Sequence, residues 1–239
     1  RSAGIDLKHP QAAELVVRLA ERADVVVEGF RPGVAERLGV GPDVLCARNP
    51  RLVYGRMTGW GQSGPLANDV GHDINYISLA GVLAHVGPAG GAPVPPLNLI
   101  GDFGGGSMLL VMGVLAALVE RGTSGKGQVV DAAMVDGSAL LMSIFHVFDQ
   151  FGPGMWGPRG TNLLDGGAHF YGVYECRDGT YVSLAAFEPQ FYAAFVRLVT
   201  GLGVTGLGAD DLKLEAQHDR AQWPVLRERL AALFHTRTR

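Results

Sequence analysis

The feature that most constrains this chain is the alternation, in its first quarter, of amphipathic stretches with short β-branched runs. Within residues 10–23, Ala12, Leu15, Val16 and Leu19 recur at helical spacing. Asp24 then leads into Val25, Val26 and Val27, which read as a buried strand. Arg31-Pro32-Gly33 opens a helical turn ending near Leu38. Gly41-Pro42-Asp43 starts another short helix, with proline suited to its first position. Residues 51–56 read as a second strand. Strand, helix, strand, helix and strand in this order predict a parallel α/β unit. Residues 1–10 read as the end of a strand entering a helix, so the unit's first strand is only partly present.

Further along, residues 57–100 are rich in loops, broken by a helical patch over 74–83. GPAGGAP (87–93) reads as a flexible loop. Gly101-Asp102-Phe103 and three glycines open a long apolar helix over 107–120. Its apolar run is too short and too interrupted by glycine to span a bilayer, so a buried helix is expected. A brief strand at 128–131 and a second apolar helix over 131–151 follow. The Gly/Pro-rich stretch 152–168 reads as a linker. Beyond it the character changes: residues 171–175 and 181–185 flank Arg177-Asp178-Gly179-Thr180, a hairpin with an Asp-Gly turn, and Glu188-Pro189 starts a helix to Thr200. The division expected is a large parallel, Rossmann-like α/β domain over 1–160, incomplete at its N-terminus, and a smaller α+β domain over 161–239, incomplete at its C-terminus. The chain begins with Arg1, and the helix around 225–234 runs directly into the final TRTR. Both ends are therefore expected to be cut from something longer.

Composition removes several function classes. With 18% charged residues and a net charge of -3, the chain lacks the basic excess that nucleic-acid binding leaves. Two cysteines, Cys46 and Cys176, lie far apart with no Cys-x-x-Cys, which argues against a disulfide framework or a cysteine zinc site and fits a reducing compartment. With no signal peptide visible, the cytoplasm is the compartment expected. Gly122-Thr-Ser-Gly-Lys126-Gly127 fails as a phosphate loop, because position 120 is Glu and position 127 is Gly where Ser or Thr is needed. Asp102-Phe103-Gly104 lacks the partners of a kinase magnesium motif. No GxGxxG follows a strand, so no dinucleotide is expected.

Three ionisable residues stand at element ends or in loops, where catalytic groups gather. His72 lies between Gly71 and Asp73, ahead of a helical patch. Asp102 lies between Gly101 and an aromatic residue. Glu188 precedes Pro189. Each also has a plain structural reading: Asp102 as a helix N-cap, His72 as partner of a carbonyl, and Glu188 as an acid facing a helix dipole. Composition and spacing do not choose between them.

The segments GFRPG (29–33), ERLG (36–39), RMTGWGQ (56–62), GHDINYISL (71–79), PPLNLIGDFGGGS (95–107), GKGQVVDAAMVDG (125–137), LDGG (164–167), YECRDGTYVSL (174–184) and EPQFY (188–192) occur in order along nearly the whole chain. Together they resemble the α-methylacyl-CoA racemases, a branch of the class III CoA transferases. GHDINY, GDFGGG and EPQF resemble that branch specifically. The resemblance implies the interlocked-dimer fold of CoA transferase family III. It implies an acyl-CoA thioester substrate and no separate cofactor, since coenzyme A is part of the substrate. It matches His72 and Asp102 to the two acid/base residues, and Glu188 to a carboxylate that completes the site. Arg31 and Arg37 match residues near the CoA phosphates. Gly71, Asp73 and Tyr76 match residues lining the CoA and thioester. No metal, nucleic-acid or membrane partner is implied.

Inverting a carbon next to a thioester needs a base on one face of a planar enolate and an acid on the other. Neutral His72 would take the proton from one epimer and protonated Asp102 would deliver to the other face. A raised Asp102 pKa would follow from burial beside Phe103. Glu188 would orient His72 or hold a shared proton. Backbone amides after Asp102 would meet the enolate oxygen, and Gly104, Gly105 and Gly106 would let substrate approach the backbone. Met108, Met112, Met142 and Met155 are candidates for an adaptable acyl surface, with plain core roles as the other reading. Two other functions remain open at this point: a CoA transferase in which Asp102 is the nucleophile, and a CoA-thioester binding protein without catalysis.

Overall fold

The computed structural model describes residues 2–150, 156–203, 207 and 212–239. It divides into two compact units, Arg1–Leu83 with Pro95–Val147, and Ala84–Val94 with Phe148–Arg239. By contacts the change of unit falls after 147, where composition had suggested 160, and the segment 84–94 joins the second unit.

In the first unit, helix α1 (Ala12–Ala20) turns Val17 and Ala20 inward, with Glu14 in its first turn and Arg18 in its last, each complementing the helix dipole. Strand β1 (Val25–Glu28) follows, then the single turn α2 (Val34–Arg37) and helix α3 (Pro42–Arg48), which Gly41 caps and Pro42 starts. Strand β2 (Val53–Thr58) is buried along nearly its whole length. Beyond it come α4 (Asp73–Leu79), a π-helix over Leu99–Met108, and α5 (Leu109–Ser124), which continues the π-helix without a break. Strand β3 (Val129–Ala133), α6 (Met134–Leu141) and α7 (Ser143–Gln150) complete the unit. The three strands form a parallel sheet in the order β1-β2-β3, with Glu28 beside Arg56 and Arg56 beside Asp131. This is the expected parallel α/β unit. Its core packs Val17, Ala20, Ala35, Leu45, Leu52 and Tyr54 between the first helices and the sheet.

Several local expectations change. Residues 2–6 form no strand; they are exposed or half-buried and pair with no other strand among the described residues. The helix expected over 107–120 begins eight residues earlier. Glycines 104–106 do not break it, because the π-helix absorbs them against α6: a Cβ on Gly105 would come within 2.6 Å of the Ser138 amide, and one on Gly137 within 1.9 Å of the Gly105 carbonyl. The whole run Leu99–Ser124 is 26 residues, long and apolar enough by length and composition to cross a membrane, with a mean hydropathy of 1.8. Nor is it a buried helix. Leu110 and Ala117 are buried, with Leu110 and Val114 lying over Gly55 of β2, while Val111, Met112, Leu115 and Val119 are exposed. One side faces the sheet and the other has no cover from the described chain. The helix expected over 131–151 starts later, because β3 runs on to Ala133. It also divides at Met142, whose amide turns back to the carbonyls of Ser138 and Ala139.

In the second unit, β4 (Tyr171–Glu175) and β5 (Tyr181–Ala185) form the expected antiparallel hairpin, with Gly179 at φ 74° in its turn. Helices α8 (Pro189–Gly201) and α9 (Trp223–His235) pack on it. Phe170 is the hub of the core, edge-on to Tyr192 at 5.6 Å and to Trp223 at 6.0 Å, with Leu226, Leu230 and Val199 around it. The stretch read as a linker is built rather than loose where it is described. Asp165 accepts the amides of Gly160 and Asn162, both at 2.7 Å, and the fully buried Asn162 accepts the Gly157 amide at 2.5 Å. The loop 87–93 is likewise closed, by the Val94 amide on the Val86 carbonyl at 2.9 Å and by Arg159 on the Ala84 carbonyl at 2.6 Å.

His169 lies fully buried in this core, its Nε2 2.8 Å from the Tyr192 hydroxyl and its Nδ1 without a hydrogen-bond partner. Burial pushes its pKa down from 6.5 to about 4. The unfolded chain therefore binds a proton that the folded unit refuses between those values, and stability falls as pH drops through that window. A full shift of this size corresponds to about 3 kcal/mol. Denaturant unfolding at pH 7, 5.5 and 4 should show this acid loss, and His169→Phe should flatten it; an unchanged acid slope in the variant would refute the assignment.

Candidate active site

The carboxyl ends of all three parallel strands open on one cleft of about 290 Å³. Gly29, Phe30, Arg31 and Pro32 follow β1; Met57 to Trp60 end and follow β2; Met134 follows β3. His72, Gly71 and Tyr76 close the side. Open α/β sheets bind ligands at this end of their strands.

Arg56 lies in β2, one residue before the cleft-lining Met57. Its side chain is almost fully buried, with Nη2 3.0 Å from Glu28 Oε1, Nε donating to the same oxygen at 3.1 Å, and Nη1 donating to Glu36 Oε1 at 2.9 Å. Glu28 Oε2 in turn accepts the Phe30 amide at 2.6 Å. The bond from Arg56 holds the Glu36 carboxyl below its ordinary range. Burial alone would lower the arginine's pKa, but the two carboxylates outweigh it and the net direction is up. One buried guanidinium thus ties together the end of β1, the turn carrying Arg31, and α2. Desolvation of such a group is offset here by the two carboxylates, although Nη2 meets Glu28 as an ion pair without a hydrogen bond.

His72 stands at the N-cap of α4, its main chain fixed by three hydrogen bonds. Its amide donates to Asn75 Oδ1 at 3.0 Å; its carbonyl accepts the amides of Asn75 at 2.8 Å and Tyr76 at 3.3 Å. The Tyr76 hydroxyl donates to the Gly71 carbonyl at 2.5 Å, and the Tyr76 ring stands edge-on to Trp60 at 4.8 Å. Glycine is required at 71, since a Cβ there would lie 2.6 Å from that ring. The imidazole itself is exposed on the cleft.

Asp102 is joined to this turn through Asp73. The Asp73 carboxylate is 5% exposed, and its Oδ2 accepts the amides of Gly101 at 2.6 Å and Asp102 at 2.9 Å. The first residue of α4 therefore caps the start of the π-helix, and the backbone of Asp102 is bonded to the side chain of the residue that follows His72. Asp102 is half-buried; its Oδ2 accepts from Asn98 Nδ2 at 3.2 Å and its carbonyl from the Ser107 hydroxyl at 3.0 Å. Burial first, then the charges of Asp102 and Asp73, raise the Tyr76 pKa.

Of the residues singled out from sequence, Arg31, Gly71, His72 and Tyr76 line the cleft, while Asp73 and Asp102 adjoin it through backbone bonds. Arg37 is exposed on α2, with its guanidinium beside Gly33. Glu188 belongs to the second unit, where it is the exposed N-cap of α8 and its carboxylate makes no cap hydrogen bond.

Four expectations are corrected. Asp102 is not an N-cap, since the helix begins at Leu99. The amides after Asp102 do not stand at a helix start, because they lie inside the π-helix that begins at Leu99, and the Gly101 and Asp102 amides before them are taken by Asp73. Gly105 and Gly106 are buried against α6 rather than bared to substrate, and Phe103 is 52% exposed, so it does not form an apolar wall over Asp102. Finally, the methionines that line the cleft are Met57 and Met134; Met142 is in the core, Met108 and Met112 are exposed on the long helix, and Met155 lies outside the described residues. Sequence reasoning passed over Arg56, Glu28 and Trp60. The signal was present for Arg56, an arginine within the apolar strand run LVYGRMT.

An open parallel sheet with its cleft at the strand ends defines an α/β protein of the kind that binds ligands there. The chain belongs to CoA-transferase family III, whose sequence model matches residues 1–239. It is 44% identical over 240 residues to the α-methylacyl-CoA racemase of Mus musculus and 42% identical over 240 residues to that of Homo sapiens, covering 100% of this chain and 60% of each relative. A crystal structure of the hypothetical protein Rv3272 from Mycobacterium tuberculosis superposes with a TM-score of 0.74 at 28% identity, covering 100% of this chain and 61% of that one. The chain thus spans about three fifths of the length of the curated relatives it matches.

The Asp73 bridge has a direct test. Asp73→Ala leaves two amides without their acceptor, at about 1–3 kcal/mol each if they stay dry. Denaturant unfolding should show a loss of several kcal/mol, and Asp73→Asn, which keeps an acceptor oxygen, should lose less. Equal stability of Asp73→Ala and wild type would remove the bridge from the account.

Proposed function

We propose that this chain carries the proton-transfer site of a racemase that inverts C2 of 2-methylacyl-CoA thioesters. The observation that carries the reading is the Asp73 bridge, which sets His72 and Asp102 on adjoining helix starts beside the cleft. The similarity to two proteins named α-methylacyl-CoA racemase gives it a substrate class.

In one direction neutral His72 removes the C2 proton, the thioester becomes a planar enolate, and Asp102 in its acid form protonates the opposite face. In the other direction the two exchange roles. The reaction needs no redox or group-carrying cofactor, and coenzyme A enters only as part of the substrate. The enolate oxygen draws its donor from somewhere other than the Gly101 and Asp102 amides. Arg31, exposed on the cleft wall after β1, is assigned to a CoA phosphate on its charge and its exposure there, and Arg37 extends the positive charge along α2. Met57 and Met134 supply the adaptable apolar lining an acyl group needs while its α-carbon inverts. Glu188, exposed and not used as a cap, is assigned to the reaction on the resemblance alone.

The active form is assigned as a homodimer, for which the exposed apolar face Val111, Met112, Leu115 and Val119 provides a surface. The cytoplasm is proposed as its compartment, in keeping with the free thiols of Cys46 and Cys176. A second reading, transfer of CoA with Asp102 as nucleophile, is favoured by the family description itself.

One experiment separates the two. The protein at its full natural length is incubated with a single epimer of a 2-methylacyl-CoA in heavy water, and proton NMR follows C2. Deuterium entering C2 with mixing of epimers, reduced by about 10²-fold or more in both His72→Ala and Asp102→Ala, is the expected result. Acyl transfer to an added carboxylate, abolished by Asp102→Ala alone and without exchange at C2, would overturn the racemase reading in favour of the transferase.

A further inference from the structure

The corner that presents Glu188 is held more tightly than a surface turn requires. Ala186, Phe187 and Glu188 join the end of β5 to the start of α8, and their three successive carbonyls are all engaged. Gln217 Nε2 donates to the Phe187 carbonyl at 2.7 Å and to the Ala186 carbonyl at 3.3 Å. The Glu188 carbonyl accepts the amides of Phe191 and Tyr192, both at 2.9 Å, and the Ala186 amide donates to the Phe170 carbonyl at 2.9 Å. Gln217 is itself 3% exposed and is fixed by Trp223, whose indole nitrogen donates to the Gln217 carbonyl at 2.9 Å. One turn into α8, the buried Tyr192 hydroxyl meets His169 Nε2 at 2.8 Å.

Two polar side chains, Gln217 and His169, thus sit in an aromatic and aliphatic core where apolar residues would pack without desolvating an amide or an imidazole. Both are directed at the segment 186–192. Pro189 at the first position of α8 fixes the main chain between them. The carboxylate at the centre is exposed and has no cap bond to satisfy, although an N-cap is where a short acid would bond to the helix amides.

We propose that Gln217, seconded by the His169–Tyr192 pair, is a positioning residue for Glu188. It sets the direction of the strand-to-helix corner that carries that carboxylate, and it touches no substrate itself. This rests on the assignment of Glu188 to the reaction. Small displacements of catalytic groups by remote changes reduce turnover by up to about 10²-fold, so the effect falls on kcat and leaves substrate binding nearly untouched.

The test is a double-mutant cycle on the full-length protein, read as C2 exchange with a 2-methylacyl-CoA. Gln217→Met keeps the volume and removes the donor; Tyr192→Phe keeps the ring and removes the hydroxyl, and serves in its place if the first variant is poorly folded. Either should lower kcat by roughly 10-fold or more with KM within about twofold. In a Glu188→Gln background the same changes should have no further effect, since a group that acts through Glu188 has nothing left to act on. Losses that multiply in the double variant would make Gln217 an ordinary core residue and overturn the proposal while leaving Glu188 in the reaction. Full kcat in Glu188→Gln alone would overturn both the proposal and the assignment beneath it, and leave His72 and Asp102 as they stand.

Discussion

The carboxylate of Asp73 is the contact on which the joining of α4 to the π-helix depends. A single buried oxygen accepts the amides of Gly101 and Asp102, so the beginning of one helix is the cap of another. Helix starts carry unsatisfied amides and partial positive charge, and a carboxylate answers both. Because Asp73 follows His72 directly, the backbone of Asp102 is tied to the turn that carries the histidine. The proton-transfer pair proposed above would draw on that fixity of the main chain.

The sheet supplies the other half of the frame. Arg56 lies at the carboxyl end of the central strand and draws in a carboxylate from the neighbouring strand and another from α2. A buried ion pair adds little net stability. What it does here is specify geometry: the turn after β1, the strand end of β2 and the first short helix meet at one guanidinium. The second unit follows a similar plan, with an aromatic core around Phe170 and buried polar groups directed at a single corner.

Much of this was legible in the sequence. The β-branched runs located the parallel strands, Gly41-Pro42 located a helix start, and Arg177-Asp178-Gly179-Thr180 located the hairpin, because each depends on local backbone preference. His72 and Asp102 were legible as candidates, but only a resemblance raised them above plain structural roles. What could not be read was where non-local partners would fall. Asp102 looked like a cap because it precedes glycines; the true cap, Asp73, lies 29 residues away. Glycines 104–106 looked like room for substrate because their neighbour across the contact, Gly137, is invisible to any local reading. The stretch 152–168 looked loose because a Gly/Pro-rich composition does not reveal that Asn162 and Asp165 knit part of it together. The exposed side of α5 was misjudged because an apolar run gives no sign of how much of its circumference the chain will cover.

The π-helix over Leu99–Met108 carries a consequence for how this chain tolerates change in length. A π turn holds about one residue more than an α turn, and each residue of an α-helix advances the face by about 100°. Asp102 and the residues that meet α6 lie in the wide segment, while Leu110 and Ala117 lie in the α-helix beyond it. Removal of any one residue between them would swing the acid around the axis relative to the sheet-facing side, even if every remaining side chain were kept. The segment therefore behaves like the teeth between two gears: its letters can vary where they touch nothing, but its count is fixed by the need to keep both wheels in phase.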